Sequence, residues 1–128
     1  MPSERCPCGT GLPYAECCGR LHDGTAVAAT AEQLMRSRYS AFAVGKAGYL
    51  LATWHSTTRP PALELDPGVR WTRLDVLAST GGALLAAEGT VEFVAHYVVD
   101  GARGAQHENS RFVREDGQWR YLDGLSLS

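Results

Sequence analysis

The chain has 128 residues, of which 45% are hydrophobic and 20% charged, and its formal net charge is −2. This length predicts one globular domain with a small appendage, and it is enough to bury a core. The lack of a basic excess argues against nucleic acid as a partner. No apolar run could span a membrane, and the N-terminus lacks the apolar segment of a signal peptide, so we expect no membrane association and a cytoplasmic location.

The first chemical signal in the chain is a cluster of all its cysteines near the N-terminus: Cys6, Cys8, Cys17 and Cys18. Four thiolates at this spacing suit one tetrahedral Zn²⁺ ion, and four sulfurs leave no open position for catalysis, so the site is predicted to be structural. Gly9 and Gly11 are typical turn residues. The stretch from Tyr14 to Cys18 is long enough for one helical turn that ends at Gly19.

Other interpretations of these cysteines remain open. The pairs Cys6/Cys8 and Cys17/Cys18 could form disulfides, although cytoplasmic thiols stay reduced. The four thiols could also be unrelated buried groups, which their clustering disfavours. His22 could replace one sulfur as a metal ligand. For a four-thiolate site we expect the backbone amides of residues 8–11, with the side chains of Arg5 and Arg20, to offset the negative charge.

The pattern C-P-C-G-x-G at residues 6–11, followed by Tyr14 and C-C-G at residues 17–19, resembles the SEC-C motif. This short zinc module is named from the C-terminus of the secretion ATPase SecA. The resemblance implies one zinc ion, and it implies a protein partner because such modules elsewhere recognise proteins. We assign residues 1–24 to this zinc knuckle.

Two helices are predicted after a polar linker at residues 21–29. Thr30 and Gln33 form a capping box, and the helix that they open should run to Val44 and end at Gly45. Arg38 interrupts the apolar stripe of this helix, which consists of Leu34, Met35, Tyr39 and Phe42. A second, shorter helix is predicted over residues 46–54.

The rest of the chain favours strands. Three prolines make residues 57–68 irregular, and from Trp71 onward apolar residues alternate with polar ones, interrupted by a turn at residues 79–82. Asp116-Gly117 is a hairpin signal, and its register would place Phe112 opposite Tyr121 and Arg114 opposite Trp119. We count about four antiparallel strands. Helices followed by strands predict an α+β domain over residues 25–128, with the helices on one face of a curved sheet.

Five further stretches, residues 34–42, 49–50, 53–55, 108–112 and 117–124, resemble the YchJ-like family of uncharacterised bacterial proteins. That resemblance covers nearly the whole chain. It implies a domain similar to nuclear transport factor 2, which is a cone of helices against a strongly bent antiparallel sheet. It implies no reaction, because the family has no established activity. Many relatives carry a second SEC-C motif at the C-terminus, and this sequence has none.

The sequence contains no strong catalytic signature, so catalytic residues and enzymatic activity stay open. A cone-shaped domain leaves a cavity between helix and sheet, for which the candidate polar residues are Arg38, Tyr39, His55, His96, Glu108 and Arg111. Glu108 shares a strand face with Phe112, and Arg38 lies on the apolar stripe. We therefore predict that Arg38 and Glu108 pair directly or through one water.

Two functions are compatible with these features. The first is a protein-interaction module that docks a partner through the zinc knuckle. The alternative is a small-molecule-binding or enzymatic domain that works through the cone cavity. A partly polar pocket with His55 or an unpaired Glu108 would favour the alternative, whereas a cavity filled by Trp and Phe side chains would favour the first.

Overall fold

The computed structural model describes residues 4–81 and 86–126. One four-stranded antiparallel sheet, in the order β1-β2-β3-β4, follows the helices in the chain, which confirms the predicted α+β class. The elements are a 3-10 turn at Tyr14–Glu16, α1 (Cys18–His22), α2 (Ala31–Val44), α3 (Ala47–Ala52), β1 (Val69–Ser79), β2 (Glu88–Val99), β3 (Ala102–Glu115) and β4 (Gln118–Ser126). No helix in the described ranges has the length and hydropathy needed to cross a membrane.

Helix α2 begins and ends where its sequence signals lie. The Thr30 hydroxyl accepts the Gln33 amide at 3.0 Å, while the Gln33 side chain accepts the Ala29 amide at 2.7 Å. These bonds satisfy donors that every helix start leaves open. At the other end, Gly45 adopts a left-handed φ of 82° and closes the helix.

Helix α3 is shorter than the predicted range of residues 46–54. It stops at Ala52 because the following backbone pairs with β4 instead of continuing the helix. The Thr53 carbonyl accepts the Tyr121 amide at 2.8 Å, and the His55 amide donates to the Tyr121 carbonyl at 2.7 Å. This short bridge brings the ring of Trp54 against that of Tyr121.

The hairpin between β3 and β4 has the predicted register, with Phe112 opposite Tyr121 and Arg114 opposite Trp119. A register shift at Arg111/Phe112 and two shifts in β1 bend the sheet around α2. β1 ends at Ser79 as expected, while Gly82 of the predicted turn lies outside the described residues. The buried core between α2 and the sheet includes Leu34, Met35, Tyr39, Val91, Phe93, Phe112 and Trp119.

The N-terminal knuckle packs directly on α2. Arg36 donates to the Cys8 carbonyl at 2.8 Å. His22 donates from Nε2 to the Ser37 carbonyl at 2.8 Å, so its Nδ1 accepts the hydroxyl of Tyr14. The predicted linker therefore starts later than residue 21, because α1 extends to His22 and Leu21 is buried. That the two parts, divided near residue 24, fold independently stays a prediction.

Gly19 does not end a helical turn, contrary to the sequence prediction. It lies inside α1, where a Cβ atom would stand only 2.7 Å from the Tyr14 carbonyl oxygen. Glycine is required here for close approach of two backbone segments, and its φ is not left-handed. The 3-10 turn and α1 can pack together only because this position has no side chain.

His22 should make the fold sensitive to acid. Burial lowers its pKa from the ordinary value of about 6.5, so its stabilising contribution is complete above that value and is lost as the pH falls. We expect the free energy of unfolding to drop more steeply between about pH 7.5 and 5 in the wild type than in His22→Gln. Urea denaturation at several pH values measures the free energy of unfolding of both proteins. The same pH dependence in the wild type and in His22→Gln would contradict a role for His22.

Candidate metal centre and cone cavity

The four cysteine sulfurs form one cluster, as the sequence predicts. All four lie within 4.8 Å of one another, and the Sγ atoms of Cys8 and Cys17 are 3.6 Å apart. A tetrahedral site with Zn–S bonds of about 2.3 Å spaces its sulfurs by about 3.8 Å, so the donor set fits zinc in number, chemistry and spacing. Cys6, Cys8 and Cys18 are buried and Cys17 is half-buried.

The local fold explains how so short a segment gathers four sulfurs. Gly9 and Gly11 both adopt a φ of 88°, which turns the chain back on itself. The Cys6 amide then donates to the Leu12 carbonyl at 2.8 Å. The 3-10 turn and α1 return Cys17 and Cys18 to the same point.

Hydroxyl groups, rather than the predicted arginines, surround the sulfurs. Thr10 Oγ1 lies 3.2 Å from Cys17 Sγ, and Ser40 Oγ of α2 lies 3.4 Å from Cys6 Sγ. Arg5 instead donates to the Gly11 carbonyl at 2.5 Å. Sequence reasoning missed Ser40, although its spacing of four from Arg36 puts both on the helix face that meets the knuckle.

Four thiolates this close together would repel one another, so the four thiols cannot all ionise unless a cation lies among them. Donation of a hydrogen bond from the Cys18 thiol to Cys6 and then Cys8, together with burial, raises the pKa of Cys18, while acceptance of hydrogen bonds from Cys18 and Cys8 lowers the pKa of Cys6. Four thiolates therefore require a positive ion among them.

The structure does not fit two of the alternatives, which are disulfides between the cysteines and His22 as a metal ligand. All four cysteines are free thiols, so neither the Cys6/Cys8 nor the Cys17/Cys18 disulfide is formed. His22 is not part of the cluster, because both of its ring nitrogens are engaged elsewhere.

A separate cavity of about 340 Å³ lies between α2 and the concave face of the sheet. Its lining is largely aromatic and includes Tyr39, Trp54, Trp71, Phe93 and Tyr121. The aromatic side chains thus line the space without filling it. A wider groove of about 760 Å³ runs where residues 21–28 cross α3 and β4.

Arg38 supplies the buried charge of the cone cavity. Its side chain is only 6% exposed, and Nη1 donates to the Leu50 carbonyl at 2.7 Å and to Thr53 Oγ1 at 2.8 Å. The guanidinium carbon lies 5.0 Å from the Trp54 ring centre and 4.5 Å from that of Tyr121. Burial lowers the pKa of Arg38 to about 10, so it keeps its charge at neutral pH.

Arg38 and Glu108 do not pair directly, so that part of the prediction is wrong, whereas pairing through one water stays a prediction. Both side chains line the cavity, but no ion pair joins them, or either one to a third residue, in the part of the chain that the structure describes. Arg38 is held by backbone, hydroxyl and aromatic groups instead. Glu108 accepts the side-chain amide of Gln106, its neighbour on the same strand face.

Three of the six candidate pocket residues lie outside this cavity. His55 is 3.7 Å from Glu115, His96 is 2.9 Å from Asp75, and Arg111 is 2.7 Å from Asp123. Each has a carboxylate partner outside the cavity lining. Arg38, Tyr39 and Glu108 are the candidates that the fold brings together.

Two of the residues that line the cavity, Tyr39 and Trp54, carry a buried polar atom without a hydrogen-bond partner among residues 4–81 and 86–126. These atoms are Tyr39 Oη and Trp54 Nε1. Buried polar groups are usually satisfied, so such atoms mark a strained or functional region. Neither Trp54 nor Tyr121 is among the candidate pocket residues that the sequence suggested, yet both line the cavity. The hairpin register could have placed Tyr121 beside Phe112, on the cavity side.

Comparison with family models matches both parts of the chain. Residues 30–124 match the model described as YchJ, middle NTF2-like domain, and residues 3–20 match the SEC-C motif. The first match covers most of the chain and agrees with the cone of helices on a bent sheet. The second match contains all four clustered cysteines.

Relatives and solved structures resemble the chain over nearly its whole length. UPF0225 protein SCO1677 of Streptomyces coelicolor is 55% identical over 99% of each chain, and a UPF0225 protein of Corynebacterium glutamicum is 54% identical over 94% of this chain and 96% of its own. The solution structure of RPA3114, a SEC-C motif containing protein from Rhodopseudomonas palustris, is 32% identical with a TM-score of 0.85, covering 98% of this chain and all of that one. A SEC-C motif containing protein from Psychrobacter arcticus has a TM-score of 0.79 and 31% identity, covering 98% and 84%. The chain therefore belongs to the YchJ-like (UPF0225) family.

Proposed function

We propose that this protein is a zinc-stabilised, small-molecule-binding protein of the cytoplasm, in which the cone cavity holds the ligand. The observation that carries the proposal is Arg38, a buried cation in an accessible cavity without a carboxylate partner among the described residues. Buried charges are costly unless they are paired, and a ligand supplies the missing group. The cavity volume and aromatic lining fall within the ordinary range of small-molecule sites.

The zinc knuckle has a supporting role in this proposal. Its contacts through Arg36, His22 and Ser40 fix one face of α2, and Arg38 projects from that same helix toward the cavity. Reduced thiols at the metal site are consistent with the cytoplasm. Docking of a protein partner on the knuckle stays a prediction, supported by the exposed side chain of Leu12 at its tip.

The metal should be zinc, with one ion per chain. Protein purified without chelator under reducing conditions is analysed for metal content, and Cys17→Ser is the test variant because this half-buried sulfur can be changed with little disturbance of the core. We expect one zinc in the wild type and a strongly reduced content in the variant. Less than half an ion per wild-type chain, with two disulfides found by mass spectrometry, would sink the assignment.

Ligand binding in the cavity can be tested with benzyl alcohol, a neutral aromatic probe, by titration of ¹⁵N-labelled protein. We expect a saturable shift of the Trp54 indole resonance, because Trp54 lines the cavity. The Trp119 indole should not shift, since its Nε1 donates to the Ala29 carbonyl at 3.2 Å outside the cavity lining. It serves as an internal control for folding.

Two variants, one inside the cavity and one outside it, test whether benzyl alcohol binds in the cavity. Ala95→Leu narrows the cavity from β2 and should abolish the Trp54 shift. Ala105→Leu makes the same change at an exposed position of β3 outside the lining and should behave like the wild type. Equal binding by the two folded variants would refute binding in the cavity, and so would the absence of a Trp54 shift in the wild type with this probe and with the charged aromatic probes described below.

A further inference from the structure

The cone cavity holds two opposite charges that do not neutralise each other. Arg38 and Glu108 both line it without forming an ion pair across the described part of the chain. Charges that no protein group of opposite sign neutralises leave a strong local field in a weakly polar cavity. A ligand that carries both charges in the complementary order would satisfy the two ends together, and one that carries a single charge would meet a like charge at one of them.

The Arg38 end is pre-organised for a carboxylate. Both hydrogen bonds of the guanidinium leave from Nη1, to the Leu50 carbonyl and the Thr53 hydroxyl. The rings of Trp54 and Tyr121 fix its plane. Nε and Nη2 have no acceptor among residues 4–81 and 86–126, and this edge of a guanidinium binds carboxylates in bidentate fashion.

Near Glu108, three side-chain oxygen atoms lie close together beside Gly124. Glu108 Oε2 and Tyr121 Oη each lie 3.2 Å, and Ser110 Oγ 3.3 Å, from the point where a Cβ atom of residue 124 would stand. That point is one bond length from the Gly124 Cα atom and cannot itself hold a ligand atom, but it shows that the three oxygens lie close together beside Gly124. All three oxygens belong to residues that line the cavity. An ammonium group, with three donors and no acceptor, matches such a convergence.

The remaining lining matches an apolar body. Trp71, Phe93 and Met35 line the same space and offer apolar surface. A volume of about 340 Å³ is at the small end of the range for small-molecule sites, so the ligand is a small one. Arg38 is almost fully buried while Glu108 is half-buried, so the carboxylate of the ligand enters first and the ammonium lies nearer the mouth.

We infer that the cavity takes small zwitterions with an apolar body, the chemistry of free aromatic or aliphatic amino acids, through Arg38 at the carboxylate and Glu108, Ser110 and Tyr121 at the ammonium. This inference rests on the proposed function, since it names the ligand class for the same cavity. No cysteine lines this space, so the metal centre takes no direct part in the contacts to the ligand.

Three probes that share one phenylethyl body test the inference. L-phenylalanine carries both charges, 3-phenylpropanoate lacks the ammonium, and 2-phenylethylamine lacks the carboxylate. Titration followed at the Trp54 indole resonance should give L-phenylalanine a dissociation constant at least about tenfold lower than either analogue, because each charge-assisted contact contributes about that factor. Equal or tighter binding of 3-phenylpropanoate by the wild type would overturn the inference.

Variants of the residues near the proposed ammonium position provide a second test. Glu108→Gln and Gly124→Ala should each weaken L-phenylalanine about tenfold while leaving 3-phenylpropanoate unchanged or tighter. Glu92→Gln is the matched control, because Glu92 bonds to His107 outside the cavity, at 2.7 Å. No change of preference in Glu108→Gln would also overturn the inference.

The outcomes separate this inference from the proposed function. Binding of benzyl alcohol without preference for the zwitterion would leave the proposed function standing and reject the ligand class. Failure of benzyl alcohol and of all three charged probes to move the Trp54 resonance would reject both.

Discussion

The buried guanidinium of Arg38 determines how the helices meet the sheet. It projects from α2, bonds to the end of α3 through the Leu50 carbonyl and Thr53, and stacks against Tyr121 of β4. A cation this deeply buried needs acceptors and aromatic faces on every side. Three separate elements therefore have to converge on one side chain, and the cavity is the space that remains beside it.

Helix α2 links this cavity to the metal centre. One of its faces carries Arg36, Ser37 and Ser40, which bond to the knuckle or its neighbouring His22. The adjacent face carries Arg38 and Tyr39, which line the cavity. Spacing of three and four residues keeps the two faces distinct over the length of the helix. A disturbance of the knuckle therefore acts on the same rigid element that positions Arg38.

Local signals in the sequence predicted most of the fold. Thr30 and Gln33 marked the start of α2, Gly45 its end, and Asp116-Gly117 the last hairpin and its register. Each of these depends on contacts between residues a few positions apart, which a sequence pattern records directly. The cysteine cluster was predictable for the same reason, since all four ligands lie within thirteen residues.

The partners of buried charges were not predictable in the same way. Arg38 and Glu108 do face one cavity, as their patterns indicated, but the acceptors of Arg38 are a carbonyl and a hydroxyl of α3 that carry no charge signal. His55, His96 and Arg111 were plausible for the cavity until the sheet supplied each with a carboxylate partner. Which partner a charged side chain takes depends on residues that are far apart in the chain, and a sequence pattern does not record them. The role of Gly19 was not predicted either, because it depends on the close approach of its backbone to Tyr14.

The short backbone bridge between residues 53–55 and Tyr121 has a consequence for the borders of the sheet. A free strand border exposes unpaired amides and carbonyls that can recruit strands of other molecules. Along β4 the bridge occupies part of that border. Along β1, at the opposite border, two bulges interrupt the regular spacing of backbone groups. The same features that shape the cavity therefore also hinder uncontrolled strand-to-strand association.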